Sequence, residues 1–505
     1  ISPDLTTDDP NRQKQEESGG ITPDNSTAEN NCTIFTICES PLDNNIIWVG
    51  TDDGNVQVTS DGGKNWTKLN ANMTGLPALA WVSSIDADNF DKNAAYITVD
   101  AHRNGDMKPY VFYTNDLGKT WSSIASESIK GYAHNIKQDL DNPDILFLGT
   151  EFGLYISMNK GKEWIQFKNK VPQVGIFEIQ IHPREHDVIL GTHGRGIIII
   201  DDITPLRNLK PEMLDQEIVF LPNKPYQFPL GAIVQDFPGD QEFVGANPTN
   251  NALVTYYMSK RHVFGEMYLE LYDSKGNFMK KLPAGNRKGI NKVEINTRME
   301  APKVPISINI LGEAISGPEI DPGTYTVKLV KGEKTFSTSL AISENPAYAH
   351  SAADKKLRSE TLMKAYNMLE HLAYIDNRAL EIHARCQGLK DSLTNKKASQ
   401  LAADLYKKME SMHKEIVATQ KGEGAIVGQV RLREKIGEIY GAVLGYKGSP
   451  NNSQVNALEI YKNEMDAIEA RLNKHIESLK VINEACEKQK LSPIKVISKE
   501  EFMKE

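Results

Sequence analysis

The sequence predicts a mainly β protein with a C-terminal α domain. Its parts are a partial β-propeller of about four blades, an immunoglobulin- or fibronectin-like β-sandwich, and an antiparallel helical bundle. Three observations lead to this prediction. A tryptophan-capped turn recurs every 40 to 55 residues or so, which is typical of four-stranded blades. Short alternating strands follow, and apolar residues adopt helical spacing after Asn345-Pro346.

The recurring turn first occurs from Thr59 to Trp66, as Thr-x-Asp-x-Gly-x-Asn-Trp. We expect the aspartate to accept hydrogen bonds from backbone amides of its own turn, and the glycine to adopt a conformation closed to other residues. The tryptophan then holds the turn against the next strand. The second copy spans Thr114–Trp121, and the third spans Ser157–Trp164. Structural roles are predicted for Asp61, Gly63, Trp66, Asp116, Gly118, Trp121, Asn159, Gly161 and Trp164.

A second marker agrees with the first. Gly-Thr pairs begin at positions 50, 149 and 191, and each closes an apolar strand. In the fourth blade Asp201-Asp202 replace the turn, and an outer strand is expected after Ile203. The predicted blades begin at Thr33, Leu79, Ala133 and Ile176.

The domain boundaries follow from changes in pattern along the 505 residues, a length that predicts two to four domains. Helices are expected near 351–387, 395–420, 428–445 and 454–488. The predicted segments are an inter-blade loop at 1–30, propeller blades at 31–206, a β-sandwich at 207–345, a helical bundle at 346–490 and a tail at 491–505.

Composition excludes several classes of function. The 58 basic and 67 acidic residues give a net charge of −9, which argues against a nucleic-acid partner or an anionic membrane surface. No apolar run is long enough for a transmembrane segment. Histidines are scattered over the helices without a second ligand at metal spacing, so neither a metal nor a cofactor is predicted. Cys386 and Cys486 either remain free buried thiols, the favoured interpretation, or pair if the ends of their helices meet.

The blades do not account for a closed ring. The third residue after each tryptophan is apolar, at Leu69, Ile124 and Phe167, and Ile1 fits the same position of a preceding blade. We therefore expect the sequence to start inside a larger propeller. A missing N-terminal propeller segment or a partner chain would complete that ring.

The three turns resemble the Asp-box (BNR) repeat of sialidases, propeller-type glucan hydrolases and sortilin-like VPS10 proteins. The order of blades, a GTHGRGIIIIDDITPLR ending, a sandwich with GANPTNNALVTYY and a helical bundle resembles the C-terminal half of large secreted bacterial proteins. Those proteins are labelled glycosyl hydrolase or VPS10/BNR-repeat protein. The resemblance implies an extracytoplasmic protein, secreted, periplasmic or outer-membrane-associated, with a possible place in an envelope complex.

Ligands of propellers bind where the loops after each Gly-Thr emerge, close to the central channel. Acids, imidazoles and guanidinium groups at this mouth suit a sugar or a peptide carboxylate. The alternative interpretation of each residue is turn chemistry with a solvated side chain. The candidate ligand-binding residues are Asp52, Asp53, His102, Arg103, Glu151, His193 and Arg195.

Two functions follow from these candidates. The favoured one is a protein, peptide or glycan binding and scaffolding module that is non-catalytic in this portion. The alternative is a glycoside hydrolase, sialidase-like or glucanase-like, with its carboxylates partly or wholly in the missing blades. A sialidase needs an arginine triad, and the blades contain only Arg103, Arg184 and Arg195. No catalytic residue is assigned.

Overall fold

The computed structural model describes residues 2–14, 31–229, 240–241, 245, 249–420 and 429–504. Ile1, predicted to occupy a blade position, residues 15–30 of the predicted inter-blade loop, and the connection between the helices expected near 395–420 and 428–445 lie outside these ranges. Across the described residues, the structure confirms a mainly β architecture of small antiparallel sheets followed by a helical C-terminal region.

Residues 34–200 form four small antiparallel sheets, each built from consecutive strands in chain order. The first sheet contains β1 (Ile34–Ser40), β2 (Asp43–Thr51), β3 (Val56–Thr59) and β4 (Thr67–Lys68), and the second contains β5 (Trp81–Ala87), β6 (Ala95–Asp100), β7 (Tyr110–Thr114) and β8 (Ser122–Ser123). The third contains β9 (Ala133–Gln138), β10 (Leu146–Thr150), β11 (Gly153–Ser157) and β12 (Ile165–Phe167), and the fourth contains β13 (Ile176–Ile181), β14 (Val188–Thr192) and β15 (Ile197–Ile200).

The sheets pack face to face in sequence order because their strands are apolar on both faces. One apolar cluster joins the first sheet to the second and includes Trp48 and Ile97. A second cluster joins the second sheet to the third through Tyr96 and Leu148. A third cluster, which includes Phe147, joins the third sheet to the fourth. This serial face-to-face packing is the arrangement of propeller blades.

The outer strand predicted after Ile203 is absent from the described residues, and the fourth sheet there has three strands. Thr204–Arg207 instead forms a short helix, α1, with proline in its first turn. The Arg207 guanidinium is held by the buried carboxylate of Asp139 at 2.7 Å, and also pairs with Asp141 at 2.5 Å. This ion pair holds the segment over the end of the third sheet, away from the edge of β15.

The recurring turns adopt one geometry. The Asp61 carboxylate accepts the backbone amides of Lys64 at 3.0 Å and Asn65 at 2.9 Å. Asp116 accepts the Thr120 amide at 2.9 Å, and Asn159 accepts the Glu163 amide at the same distance. A side-chain oxygen that binds its own turn in this way is unavailable to a ligand.

The turns also interlock neighbouring sheets. A Cβ added to Gly118 would lie 2.9 Å from Cδ2 of Leu69 and still closer to Cδ1, so Leu69 of the first sheet rests on this glycine of the second. Ile124 of the second sheet rests in the same way on Gly161 of the third, where an added Cβ would lie 2.8 Å from Cδ1. Each of these two glycines therefore provides the space that the preceding sheet's side chain fills.

The next region contains two sheets around a shared apolar core. One has the order β16-β18-β21 and the other the order β17-β23-β22-β19-β20. Tyr325 donates its hydroxyl to the Asp321 carbonyl at 2.6 Å, four residues earlier. The strands are β16 (Ile218–Leu221), β17 (Tyr226–Gln227), β18 (Ala252–Met258), β19 (Met267–Tyr272), β20 (Phe278–Pro283), β21 (Gly289–Ile295), β22 (Gly323–Lys331) and β23 (Lys334–Ser343).

The C-terminal region is helical and packs around one large apolar core. The last of the predicted helices is divided at Ser478, where the hydroxyl donates to the His475 carbonyl. The helices are α2 (Ala352–Ser392), α3 (Lys396–Ile416), α4 (Leu432–Gly445), α5 (Asn452–Glu477), α6 (Leu479–Lys488) and α7 (Lys499–Lys504). Cys386 and Cys486 are both buried in this core as free thiols.

The predicted tail at 491–505 is not a free extension over its described part. Ile494 is buried in the helical core, and the Phe502 ring lies 5.8 Å from that of Tyr374. Lys303 donates to the Phe502 carbonyl at 2.6 Å. The stretch is rich in charged residues, but the apolar residues spaced between them pack against the bundle. None of the described helices is long and apolar enough to cross a membrane.

Candidate functional site

Each of the four sheets has a β-bulge at the same place in its first strand. In the first sheet Ile34 pairs with Thr51 and Thr36 with Gly50, which leaves Phe35 as the extra residue. The other three sheets show the same register shift. A bulge redirects a side chain out of the ladder, and bulges are common beside binding sites. The bulged residues are Phe35, Ser83, His134 and Phe177.

A second set of equivalent residues follows the second strand of each sheet. Asp52, Glu151 and His193 each come directly after a Gly-Thr pair. In the second sheet Thr98 takes the register position of that glycine, so Asp100, two residues later, is the equivalent of Asp52, Glu151 and His193. Asp100 is not among the residues predicted from sequence because Thr98-Val99 replaces Gly-Thr there. Aligning the strands by blade period instead of by the dipeptide would have found it.

We call the end of the sheets that carries these two sets the mouth face. At its centre, the Asp100 carboxylate is buried and binds two imidazoles. Its Oδ1 accepts Nδ1 of His102 at 2.5 Å, and its Oδ2 accepts Nδ1 of His134 at 3.1 Å. Burial alone would raise the pKa of Asp100, but the hydrogen bonds from His134 and His102 outweigh it and lower that pKa. Asp100 is therefore an ionised acceptor that fixes both rings with their Nε2 edges turned away from it.

Aromatic rings extend the mouth face to either side of this carboxylate. His102 stacks on Tyr132 with ring centroids 4.3 Å apart, and Arg103 lies 3.6 Å above the Trp81 ring. The Trp81 ring in turn lies 4.9 Å from Phe35 of the first sheet. Burial raises the pKa of Tyr132, and the charges of Asp100 and Glu151 raise it further. Flat apolar surface and charged groups thus alternate across two sheet boundaries.

The row of rings continues into the fourth sheet. Phe177 lies 4.2 Å from the His134 ring and 5.2 Å from the His193 ring. The His193 amide donates to the Gly175 carbonyl at 2.8 Å, and the Glu151 amide donates to the Tyr132 carbonyl at 3.2 Å. Oε2 of Glu151 is buried and finds no hydrogen-bond partner among the described residues. The structure therefore groups His102, Arg103, Glu151 and His193 with Asp100, His134 and the aromatic rings.

Asp52 and Asp53 are placed differently. Asp53 accepts the Thr7 amide at 2.6 Å and the Thr51 hydroxyl, while Asp52 accepts the Thr33 amide at 2.7 Å. Burial raises the pKa of Asp52, whereas the hydrogen bonds from Thr51 and Thr7 outweigh burial at Asp53 and lower its pKa. Both side chains hold backbone segments of this chain, so we leave them out of the candidate site.

Arg195 lies on the exposed turn after β14, where its amide donates to the Thr192 hydroxyl at 3.1 Å. The Asp-box-like turns join the third and fourth strands, so they lie at the end of the sheets opposite the mouth face. No group of His, Cys, Asp and Glu within the described ranges is arranged to hold a metal ion.

A groove of about 630 Å³ lies between the two-sheet region and the helices. Its lining includes Phe228 and Tyr348, with the Lys447 ammonium beside both rings. Lys447 pairs with Glu319, and Lys355 pairs with Glu344. The two lysine charges are thereby paired, whereas the Arg358 guanidinium in the same lining donates to the carbonyls of Tyr446 and Leu444.

Comparison with known proteins gives partial matches only. No family model matches the chain. A curated oligoxyloglucan-reducing end-specific xyloglucanase from Emericella nidulans is 28% identical over 162 residues, which cover 30% of this chain and 19% of that protein. A probable enzyme of the same name from Neosartorya fischeri is 28% identical over 156 residues, 28% of this chain and 18% of that protein. The chain thus spans less than a fifth of the length of these two relatives.

Solved structures give weaker likenesses. YCF48 from Cyanidioschyzon merolae is 20% identical with a TM-score of 0.27, covering 33% of this chain and 52% of that one. The GH74 xyloglucanase from Xanthomonas campestris is 13% identical with a TM-score of 0.28, covering 61% of this chain and 44% of that one. Similarity at this level identifies no function.

Proposed function

We propose that this chain is part of an exported Asp-box propeller protein of the sortilin type, and that it binds a glycan at the mouth face. The four sheets are its blades, and the two-sheet region is a sandwich of immunoglobulin type. One observation carries the glycan assignment: a row of aromatic rings and imidazoles, partly exposed except at the buried Tyr132, crosses all four sheets beside the buried carboxylate of Asp100.

The chemistry of this row suits a sugar. Ring faces cover the apolar C–H face of a pyranose, as aromatic rings cover other flat apolar groups. Two imidazoles fixed by one carboxylate present Nε2 edges that exchange hydrogen bonds with hydroxyl groups. The two curated relatives, by name, act on xyloglucan oligosaccharides, which makes such oligosaccharides the first glycans to test.

The experiment is isothermal titration of the full chain with a xyloglucan heptasaccharide, and with cellohexaose as a sugar lacking the xylose branches. We expect Trp81→Ala and Phe177→Ala each to weaken binding about fivefold, the loss of about 1 kcal/mol for one stacking contact. Phe90→Ala is the matched control, since Phe90 is exposed at the opposite end of the second sheet. Absence of binding to either sugar, or equal affinity in all three variants, would contradict the proposal.

Glycoside hydrolysis is the second candidate, and only the names of the curated relatives favour it. Hydrolysis needs two carboxyl groups flanking the scissile bond, one of them protonated at the working pH. Asp100 is committed to two imidazoles, which leaves Glu151 as the other acid grouped on the mouth face. Incubation with the heptasaccharide should release no product. If the unmodified chain releases product and Glu151→Gln does not, the proposed binding function would have to be replaced by glycoside hydrolysis.

A further inference from the structure

The first sheet has an apolar face on which Ile37 is exposed, whereas the equivalent residue of each of the other three sheets is covered. Val49, which pairs with Ile37 on this face, is itself buried. Register defines the equivalent residues: Ile37 pairs with Val49, Ile85 with Ile97, Ile136 with Leu148, and Ile179 with Leu190. Ile85, Ile136 and Ile179 are 6%, 1% and 0% exposed, each beneath the sheet that precedes it. Ile37 is 64% exposed. Isoleucine at this position is otherwise a core residue.

Gly63, the glycine of the first Asp-box-like turn, gives an independent indication that this face of the first sheet is uncovered. Gly118 and Gly161 each receive an aliphatic side chain from the preceding sheet, Leu69 and Ile124 respectively. A Cβ added to Gly63 would instead meet only its own Trp66 ring, at 3.8 Å. The same left-handed backbone is present, with φ of +89° at Gly63 and +79° at Gly118. Gly63 thus forms a notch that no described side chain fills.

We call Ile37, Ile47 and Gly63 the leading face. We propose that it docks a four-stranded Asp-box sheet that is not one of the four in this chain. The occupant carries a branched aliphatic side chain three residues after its tryptophan, as Leu69 and Ile124 do. That side chain fills the notch at Gly63, while apolar residues of the third and second strands cover Ile37.

A second copy of this chain is a poor occupant. The sheet it would present is its fourth, whose outward residues Ile197 and Ile199 are 73% and 54% exposed. Their counterparts in the third sheet, Leu154 and Ile156, are 0% and 7% exposed. This trailing face is apolar, but the described fourth sheet lacks a fourth strand and carries no tryptophan turn. It has nothing to place in the notch.

The described residues ahead of the first sheet, 2–14 and 31–33, leave room for the occupant. The Leu5 carbonyl accepts Asn55 Nδ2 at 3.1 Å and Gln57 Nε2 at 2.6 Å, so residues 2–12 attach to β3 and to the mouth side of the sheet. Ile37 stays exposed despite this contact. The occupant therefore covers the remainder of the leading face without displacing this segment.

The test appends a second copy of residues 76–125, the second sheet with Trp121 and Ile124, through a flexible linker ahead of Ser2 of the full chain. Hydrogen exchange of amides in β1 to β3 is the readout. We expect exchange to slow by about tenfold or more, because covering the leading face removes local opening of the first sheet. Ile124→Asp in the appended copy alone is the matched control, and it should abolish the protection.

Three results would overturn the proposal. If hydrogen exchange in β1 to β3 slows equally with Ile124 and with Ile124→Asp in the appended copy, the notch at Gly63 takes no side chain. If exchange in β1 to β3 does not slow although the rest of the chain stays folded, the leading face cannot dock such a sheet. A discrete dimer of the unmodified chain in light scattering, dissolved by Ile197→Glu, would show that the leading face accepts the fourth sheet of a second copy.

Discussion

The interlock between neighbouring sheets predicts that two chemically identical substitutions differ in cost. Gly63 and Gly118 share their place in the turn and nearly the same positive φ. Alanine at either site is strained by about 1–2 kcal/mol, since left-handed backbone crowds a Cβ. At Gly118 the new methyl also collides with Leu69, which is fully buried, and overpacking of this kind costs about 1–3 kcal/mol more.

Gly118→Ala should therefore destabilise the four sheets by about 2–5 kcal/mol, against about 1–2 kcal/mol for Gly63→Ala. Urea unfolding followed by tryptophan fluorescence measures this directly, because all five tryptophans lie within residues 48–164. Adding Leu69→Ala to Gly118→Ala relieves the collision, so the double variant should lose less than the sum of the two. Equal costs at the two glycines, together with additive behaviour in the double variant, would refute the interlock.

Three further predictions concern other parts of the chain. The hydrogen bond from the Asn65 amide, with others, lowers the pKa of Asp61 from 3.8 to about 2, so its contribution to stability is present above pH 3.8 and is lost as pH falls toward 2. Asp61→Asn should therefore weaken the dependence of the unfolding free energy on pH over this range, measured by urea titration. An unchanged pH dependence would contradict the prediction. Phe502→Ala should lower the stability of the helical region by about 1–2 kcal/mol, because a half-buried ring is lost, whereas the exposed Met503→Ala should be neutral by circular dichroism. Burial raises the pKa of Cys386 to about 11, so it and Cys486 should resist alkylation at pH 8 until urea is added; rapid native labelling, or a disulfide detected by mass spectrometry, would count against free buried thiols.

Periodicity predicted the repeated sheets because the turns that define them are local. The aspartate, glycine and tryptophan of each turn bond within eight residues, and such contacts are visible in sequence. The three-strand fourth sheet was missed for the opposite reason. Its short final helix depends on Arg207 reaching Asp139, 68 residues earlier, and no local pattern reports that contact.

The candidate site was predicted in part. Gly-Thr dipeptides located Glu151 and His193, and an insertion located His102 and Arg103. Asp100 was not predicted because its sheet lacks the dipeptide, and the bulged His134 and Phe177 were not predicted because a bulge leaves no recognisable pattern in the sequence of a short strand. Asp52 and Asp53 could not be excluded from sequence, since their partners Thr33 and Thr7 lie 19 and 46 residues earlier and no local pattern reports those contacts.

The bulges separate side chains of the mouth face from the contacts that keep the sheets folded. A bulged residue has no cross-strand partner, so changing Phe35, Ser83, His134 or Phe177 leaves every rung of its ladder in place. Phe35 and Phe177 can thus be exchanged independently, whereas Ser83 is buried against Thr98 and His134 is bound to Asp100. Ile85, Ile136 and Ile179, two residues further along their strands, keep the stack together. An engineered library restricted to Phe35 and Phe177 would therefore vary the mouth face at little cost in folding.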